Sequence, residues 1–327
     1  MSEPRQHHYV PRFYLSGFAD PTILQRENRE VIWVYERGKD PRRSSPRNEA
    51  KQRDFYSCKQ DGSKDTGAEK WFANLEQRVA PIIASLMRDR RDITESEKAW
   101  LALFAGTMQV RTPAGRRLAE NRIDPLATKI MKEAAADVST FRKFVEENSD
   151  PAYMGDFNVE DAEQVENLRQ AFLNGRGEEI SAAPDFQLIS MIEVGKKVGG
   201  VLFEMNWQTI YCESQERFLT SDDPVTCWVM DVKANRLHLR EGVDRPGANV
   251  WFPLCSGICL RMTRDCDPGA GRWIDSGIRY INKTIIMCAD RWIYASERSE
   301  KIRALFDKKG GRFGVETVDL RFEGRKY

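Results

Sequence analysis

Three histidines occur in the 327-residue chain, and two of them are adjacent. His7 and His8 open the run His7-His8-Tyr9-Val10-Pro11, which continues through Tyr14, Leu15 and Phe18. Imidazole titrates near neutrality and can move a proton or bind a metal. Side chains that neighbour each other in an extended segment point to opposite faces, so one histidine at most faces a given site; the bland alternative is that one packs under the helical region and the other is a surface group. Asp222 stands in Ser221-Asp222-Asp223-Pro224, directly after the apolar run Phe218-Leu219-Thr220. A carboxylate where a strand leaves its sheet can accept from Arg or His, or ligate a hard cation. The same four residues also read as a strand-ending turn, because Ser and Asp bond their own backbone and Pro fixes φ. Glu76 sits beside Leu75 in a helical pattern and needs a partner wherever its carboxylate borders a core. Arg111, close before Pro113, offers that partner, or a planar fork for an anionic ligand.

These residue types combine into one chemistry. Phosphoryl hydrolysis needs a proton carrier and a cation facing the developing charge. The expected activity is therefore hydrolysis of phosphodiester or nucleotide bonds, with His7 or His8 as acid/base, Asp222 and Glu76 as carboxylates and Arg111 as anion clamp. A divalent metal would sit on His8 and Asp222, and the partner would be a nucleic acid or a nucleotide. The alternative is a non-catalytic recognition or sensor protein of a bacterial conflict or regulatory system, in which the same motifs are turns and core contacts. Cys255, Cys259 and Cys266 lack the paired C-x-x-C knuckles of a structural zinc site. The chain contains no G-x-x-x-x-G-K-[ST] loop, no G-x-G-x-x-G after a strand, no H-E-x-x-H and no G-x-S-x-G, which disfavours four large enzyme classes.

The elements that must position these residues follow from patterning. Val31 to Tyr35 reads as a strand and Asp40 to Arg53 as an exposed basic loop. Trp71, Leu75, Val79, Ile82, Ile83 and Leu86 recur at helical spacing, with a kink expected at Pro81. Thr94 and Glu97 form a capping-box pattern ahead of Trp100, Leu101, Phe104 and Met108, a helix that should end before Pro113. Further helical patterns span 126–145, 159–172 and 186–198. From Trp207 to Met262 short β-branched and aromatic runs alternate with turns, which predicts an antiparallel sheet. Helix signals return over 278–294 and 300–308, and Val315 to Phe322 reads as a late strand. Helices and strands thus fall in blocks, the mark of an α+β fold: one domain with a motif-bearing segment over 1–67, a helical part over 68–200 and a sheet with two helices over 201–327.

Composition sets the outer bounds. At 31% charged and 41% hydrophobic the chain has material for a core, and 51 basic against 50 acidic residues exclude a polypeptide that is basic throughout. The polar start MSEPRQHHYV has no apolar signal core, and no run approaches the ~18 apolar residues of a membrane span. A cytoplasmic protein with no membrane partner is expected, with its seven cysteines reduced.

The motif series resembles the family known as domain of unknown function number 4238. Its opening His-His-x-Val-Pro pattern, followed by Tyr-Leu and Phe, stands here as HHYVPRFYLSGF. The resemblance continues through Asp54-Phe55-Tyr56, Leu75-Glu76 and Arg111-Thr112-Pro113. It returns at Ser221-Asp222-Asp223-Pro224-Val225, Pro253-Leu254, Asn282 and Tyr294, the last two assigned to one late helix. The resemblance implies a single fold over most of the chain, and that family carries no settled biochemical function.

Overall fold

The computed structural model describes residues 6–53, 58–60, 63–65, 67–117, 133, 135–148, 157–173, 184–213, 215–231, 236–239, 242–264, 275–310 and 317–319. Asp54-Phe55-Tyr56, residues 126–132 of an expected helix and Cys266 lie outside them. The chain divides into two compact units, residues 116–190 and the remainder.

In the larger unit, the first long helix, α3 (Gly67–Asp89), follows two short ones, α1 (Arg12–Ser16) and α2 (Pro21–Glu27). Phe72, Leu75, Val79, Ile83 and Leu86 are its buried stripe, spaced by three and four as a 3.6-residue turn requires. Trp71 and Ile82 lie on its shoulders, half-buried. Pro81 sits inside the helix on its exposed side. The second, α4 (Glu95–Val110), begins with the expected capping box of Thr94 and Glu97 and ends at Arg111, two residues before Pro113. Against α4 packs the later helix α7 (Pro184–Phe203), which the fold brings extremely close: a Cβ on Gly106 would stand 2.4 Å from the Gly199 nitrogen and 2.5 Å from the Gly195 oxygen. Glycine at these crossings lets two backbones touch.

Among the described residues the larger unit also holds two two-stranded ribbons, one of them β5 (Cys58–Gln60) with β6 (Ser63–Asp65), and two larger antiparallel sheets. Six strands run in the order β14 (Thr317–Asp319), β10 (Arg236–Leu239), β9 (Thr226–Asp231), β11 (Asn249–Cys255), β12 (Ile258–Thr263) and β7 (Asn206–Tyr211). Four more run β3 (Arg42–Ser44), β2 (Ile32–Glu36), β13 (Trp292–Ala295) and β8 (Thr220–Ser221). The α+β assignment from sequence holds.

One boundary is corrected. The late helix α8 (Asp275–Cys288) stops at Cys288, and Trp292–Ala295 is strand β13, so Tyr294 is a strand residue. The sequence Trp-Ile-Tyr-Ala suits a strand, and pairing with β2 on one side and β8 on the other overrides the helical spacing that runs into it. Register then assigns faces. Trp33, Tyr35, Ile293 and Ala295 share one face of this sheet and join the core with Ile278, Ile281 and Ile285 of α8 and with Phe306 of α9 (Glu300–Lys309). Val34, Tyr294 and Thr220 occupy the other face, with Arg42 and Ser44 at its edge.

The smaller unit holds α5 (Val138–Asn148) and α6 (Ala162–Leu173), whose Phe141, Val145 and Val165 pack with Ala135 in a core of their own.

Candidate functional site

The N-terminal motif is ordered because its apolar residues are a plug. Tyr9, Val10, Tyr14, Leu15 and Phe18 are all buried. The Tyr14 hydroxyl lies 2.8 Å from Thr220 Oγ1 and donates to the Pro253 carbonyl at 2.6 Å, while its ring stacks on Phe252. Gly17 passes so near β11 that a Cβ there would stand 2.9 Å from Cys255 Cβ, and its carbonyl accepts the Ser256 N–H at 2.9 Å. A motif that opens with two histidines is thereby fastened to both sheets.

The histidines precede this plug on β1 (Gln6–His8), which forms a two-stranded ribbon with β4 (Lys51–Arg53), His7 opposite Gln52 and His8 opposite Lys51. At the head of the ribbon Ala50 adopts φ +47°, and its carbonyl accepts from both Tyr9 and Val10. That left-handed turn is uncommon for a residue with a side chain. Alternation places the histidines as expected: His7 is buried with Nε2 3.7 Å from Glu69 on the first turn of α3, and His8 is half-buried. The basic loop is ordered, not loose: β3, a single 3₁₀ turn at Pro46–Asn48 and β4 carry it.

Arg111 works beneath the ribbon. It is 1% exposed, donates through Nη1 to Glu76 Oε1 at 3.0 Å and through Nη2 to the His8 carbonyl at 2.8 Å, and lies over the Phe72 ring at 4.6 Å. Glu76 keeps a partly exposed side chain, so the pair joins α3, α4 and β1 at the rim of the core. The anion clamp expected from sequence thus points into the fold.

Asp222 is also turned inward. Its Oδ1 accepts the Asp290 N–H at 2.9 Å, and its Oδ2 accepts those of Arg291 at 2.8 Å and Trp292 at 3.1 Å. Three consecutive amides entering β13 are satisfied by one carboxylate at 3% exposure. Burial, and next the Asp290 carboxylate, push its pKa up to about 7, while the Arg291 and Asp290 amides pull it down. Ser221 exchanges hydrogen bonds with the backbone of Asp223, so the Ser-Asp-Asp-Pro element is a turn. Asn282 serves the same segment, accepting from the Leu219 N–H and donating to the Arg217 carbonyl.

The nominated residues therefore fall into two neighbourhoods beside the His-His-Tyr run. Around His8 stand Lys51, Arg111 and Arg12; burial first, then these cations, lower its imidazole below the usual 6.5, with the Glu49 backbone opposing them. Around Tyr9 stand Tyr294, Asp222, Asp290 and Glu49. Burial raises the phenols of Tyr9 and Tyr294 far above their usual range, and the nearby carboxylates add to it. Glu49 itself is buried, held by a bidentate Arg42 at 2.7 and 2.9 Å and by the Ser44 hydroxyl at 2.6 Å. Asp222 thus belongs with the tyrosines, and its oxygens contact backbone rather than His8.

Glu49 and Lys51 were not singled out from sequence, and Tyr9 and Tyr294 entered there as members of the motif series and not as site residues. Glu49 had a signal, being the single acid among the basic residues of 42–53. Among the described residues no group of three or more His, Cys, Asp and Glu side chains is placed to hold a metal ion. Cys212, Cys255 and Cys259 are buried thiols whose pKa burial raises, an inert state. No described helix is long and apolar enough to cross a membrane.

Comparison with curated proteins and with solved structures finds no match. The family model described as "Protein of unknown function (DUF4238)" matches residues 6–299, which takes in the histidine ribbon, the buried Arg111–Glu76 pair, the Asp222 turn and Tyr294. Because that match spans most of the chain, this protein belongs to the DUF4238 family.

Proposed function

We propose that the protein hydrolyses phosphodiester or nucleotide bonds at the face of the β1–β4 ribbon, with His8 as proton acceptor. One observation carries the reading: a half-buried imidazole stands among Lys51, Arg111 and Arg12, and burial first, then these cations, shift it toward its neutral form. A neutral imidazole in a positive field suits an anionic substrate, since the cations attract the phosphate and leave the ring able to take a proton from an attacking water. Arg12 and Lys51 are the cations with side chains at the surface. Arg111, Glu76, Asp222 and His7 act in this reading as positioning residues: Arg111 fixes the His8 carbonyl, Glu76 fixes Arg111, and Asp222 fixes the segment that bears Tyr294.

A second reading, a recognition or sensor protein, draws on the inward use of Asp222 and Arg111, which leaves His8 as the nominated group best placed to meet a ligand. Tag-free protein incubated with DNA, RNA and nucleotide pools, with and without added divalent cations, separates the two. Turnover lost in His8→Ala with thermal stability preserved supports hydrolysis. Binding without turnover across all conditions, or turnover unchanged in His8→Ala, overturns it.

A further inference from the structure

The site at His8 lies at the end of a longer positive edge. Residues 42–53 carry Arg42, Arg43, Arg47, Lys51 and Arg53 against one acid, Glu49. The structure removes that acid from the surface: Glu49 is buried and its two oxygens are held by Arg42 and Ser44. Arg43, Arg47 and Arg53 remain exposed, Lys51 is half-exposed, and Arg12, whose side chain is 59% exposed at the start of α1, forms an ion pair with Glu30 at 3.7 Å. The β2–β3 pairing places Arg43 opposite Trp33 with its guanidinium over the ring, 5.2 Å from the centroid, a cation–π contact that anchors the arginine. Strand, turn and ribbon hold these cations in fixed order along one connected segment, although the whole chain is near neutral. A local excess of this kind is a polyanion's footprint and exceeds what one nucleotide needs.

We infer that the edge formed by β3, the 3₁₀ turn and the β1–β4 ribbon binds the sugar–phosphate backbone of a nucleic acid chain and leads it to His8. The inference rests on the proposed function for the phosphate chemistry of the ligand, and it concerns binding alone. Phosphate contacts of this type fix register without reading sequence, so binding should be indifferent to base composition.

The test is fluorescence anisotropy with a labelled 20-nucleotide single-stranded DNA, its RNA counterpart and the duplex, from 50 to 300 mM salt. The proteins are wild type, His8→Ala and a triple variant, Arg43→Gln, Arg47→Gln and Arg53→Gln. Wild type should bind nucleic acid, and His8→Ala serves as the form that holds the oligonucleotide uncut. The triple variant should lose about tenfold or more, with its log–log salt slope on single strands reduced by about 2, from three contacts at ~0.7 each. Circular dichroism checks that its fold is retained. Oligonucleotide bound but never cut would sink the hydrolase and leave this inference standing. No binding by any of the three nucleic acids, equal affinity in the triple variant, or anionic phosphatidylserine vesicles bound in preference to nucleic acid would each overturn it.

Discussion

Replacing Asp222 by alanine should cost the fold heavily. The substitution leaves the amides of Asp290, Arg291 and Trp292 without the oxygens that now accept them at 2.8–3.1 Å in a site 3% exposed. A buried donor left unsatisfied costs ~1–3 kcal/mol, so three set a ceiling near ~9; relaxation and water entering the vacated space lower the expected loss to about 3–5 kcal/mol. Asp222→Asn should cost less, about 1–3 kcal/mol, because Oδ1 still accepts while Nδ2 meets an amide donor. The Asp222 pKa is raised from 3.8 to about 7 in the fold, so its stabilising contribution is full below about pH 4 and declines as pH rises through 7. The Asn variant lacks that decline, and its deficit against wild type should shrink between pH 5 and pH 8. Urea unfolding at several pH values measures the loss, and hydrogen exchange at 290–292 locates it. Alanine within ~0.5 kcal/mol of wild type, with those three amides still protected, would refute the structural role and return Asp222 to the list of reacting groups.

Gly106→Ala should destabilise by about 2 kcal/mol or more, because the new Cβ meets backbone atoms of Gly195 and Gly199 at 2.4–2.5 Å and forces α4 and α7 apart; a thermal melt reads the shift. Arg111→Met should cost about 2–4 kcal/mol, leaving the His8 carbonyl unpaired under the ribbon, and should broaden the His8 ring resonances in NMR. The His8 pKa lies below its unfolded value, so wild type should lose stability as pH falls below 6.5 while His8→Gln follows a flatter curve over that window; calorimetry from pH 5 to 7.5 checks the difference.

The sequence disclosed much of the fold because the long helices and the C-terminal strands carry unambiguous periods. The capping box at Thr94 and the stop before Pro113 are local signals, and local signals survive folding. Where tertiary pairing decides, the reading slipped. Helical spacing ran past Cys288 into Trp292–Ala295, a strand that is fixed by β2 and β8, elements distant in sequence. The candidate site was legible in its members and less so in its pairings. Arg111 and Glu76 were matched as partners, and alternation separated the two histidines. That Tyr9 sits with Asp222, and that Glu49 is buried beneath Arg42, depends on the face assignment of β13 and the left-handed turn at Ala50, neither of which has a period to reveal it.

The inward turn of Asp222 and Arg111 bears on what the motif series accomplishes. Residues that satisfy backbone amides and carbonyls deep in a protein specify geometry, and here that geometry converges on one short run: Arg111 takes the His8 carbonyl, Ala50 takes the Tyr9 and Val10 amides, and Tyr14 closes onto β8 and β11. Holding a plug of Tyr9, Val10, Tyr14, Leu15 and Phe18 would need burial alone. A buried guanidinium is a costly way to add to that, since its desolvation offsets most of what the ion pair returns. Its use beneath the ribbon is better matched to fixing the backbone of His8 at a set position beside Lys51, as the support of a reacting or binding group requires.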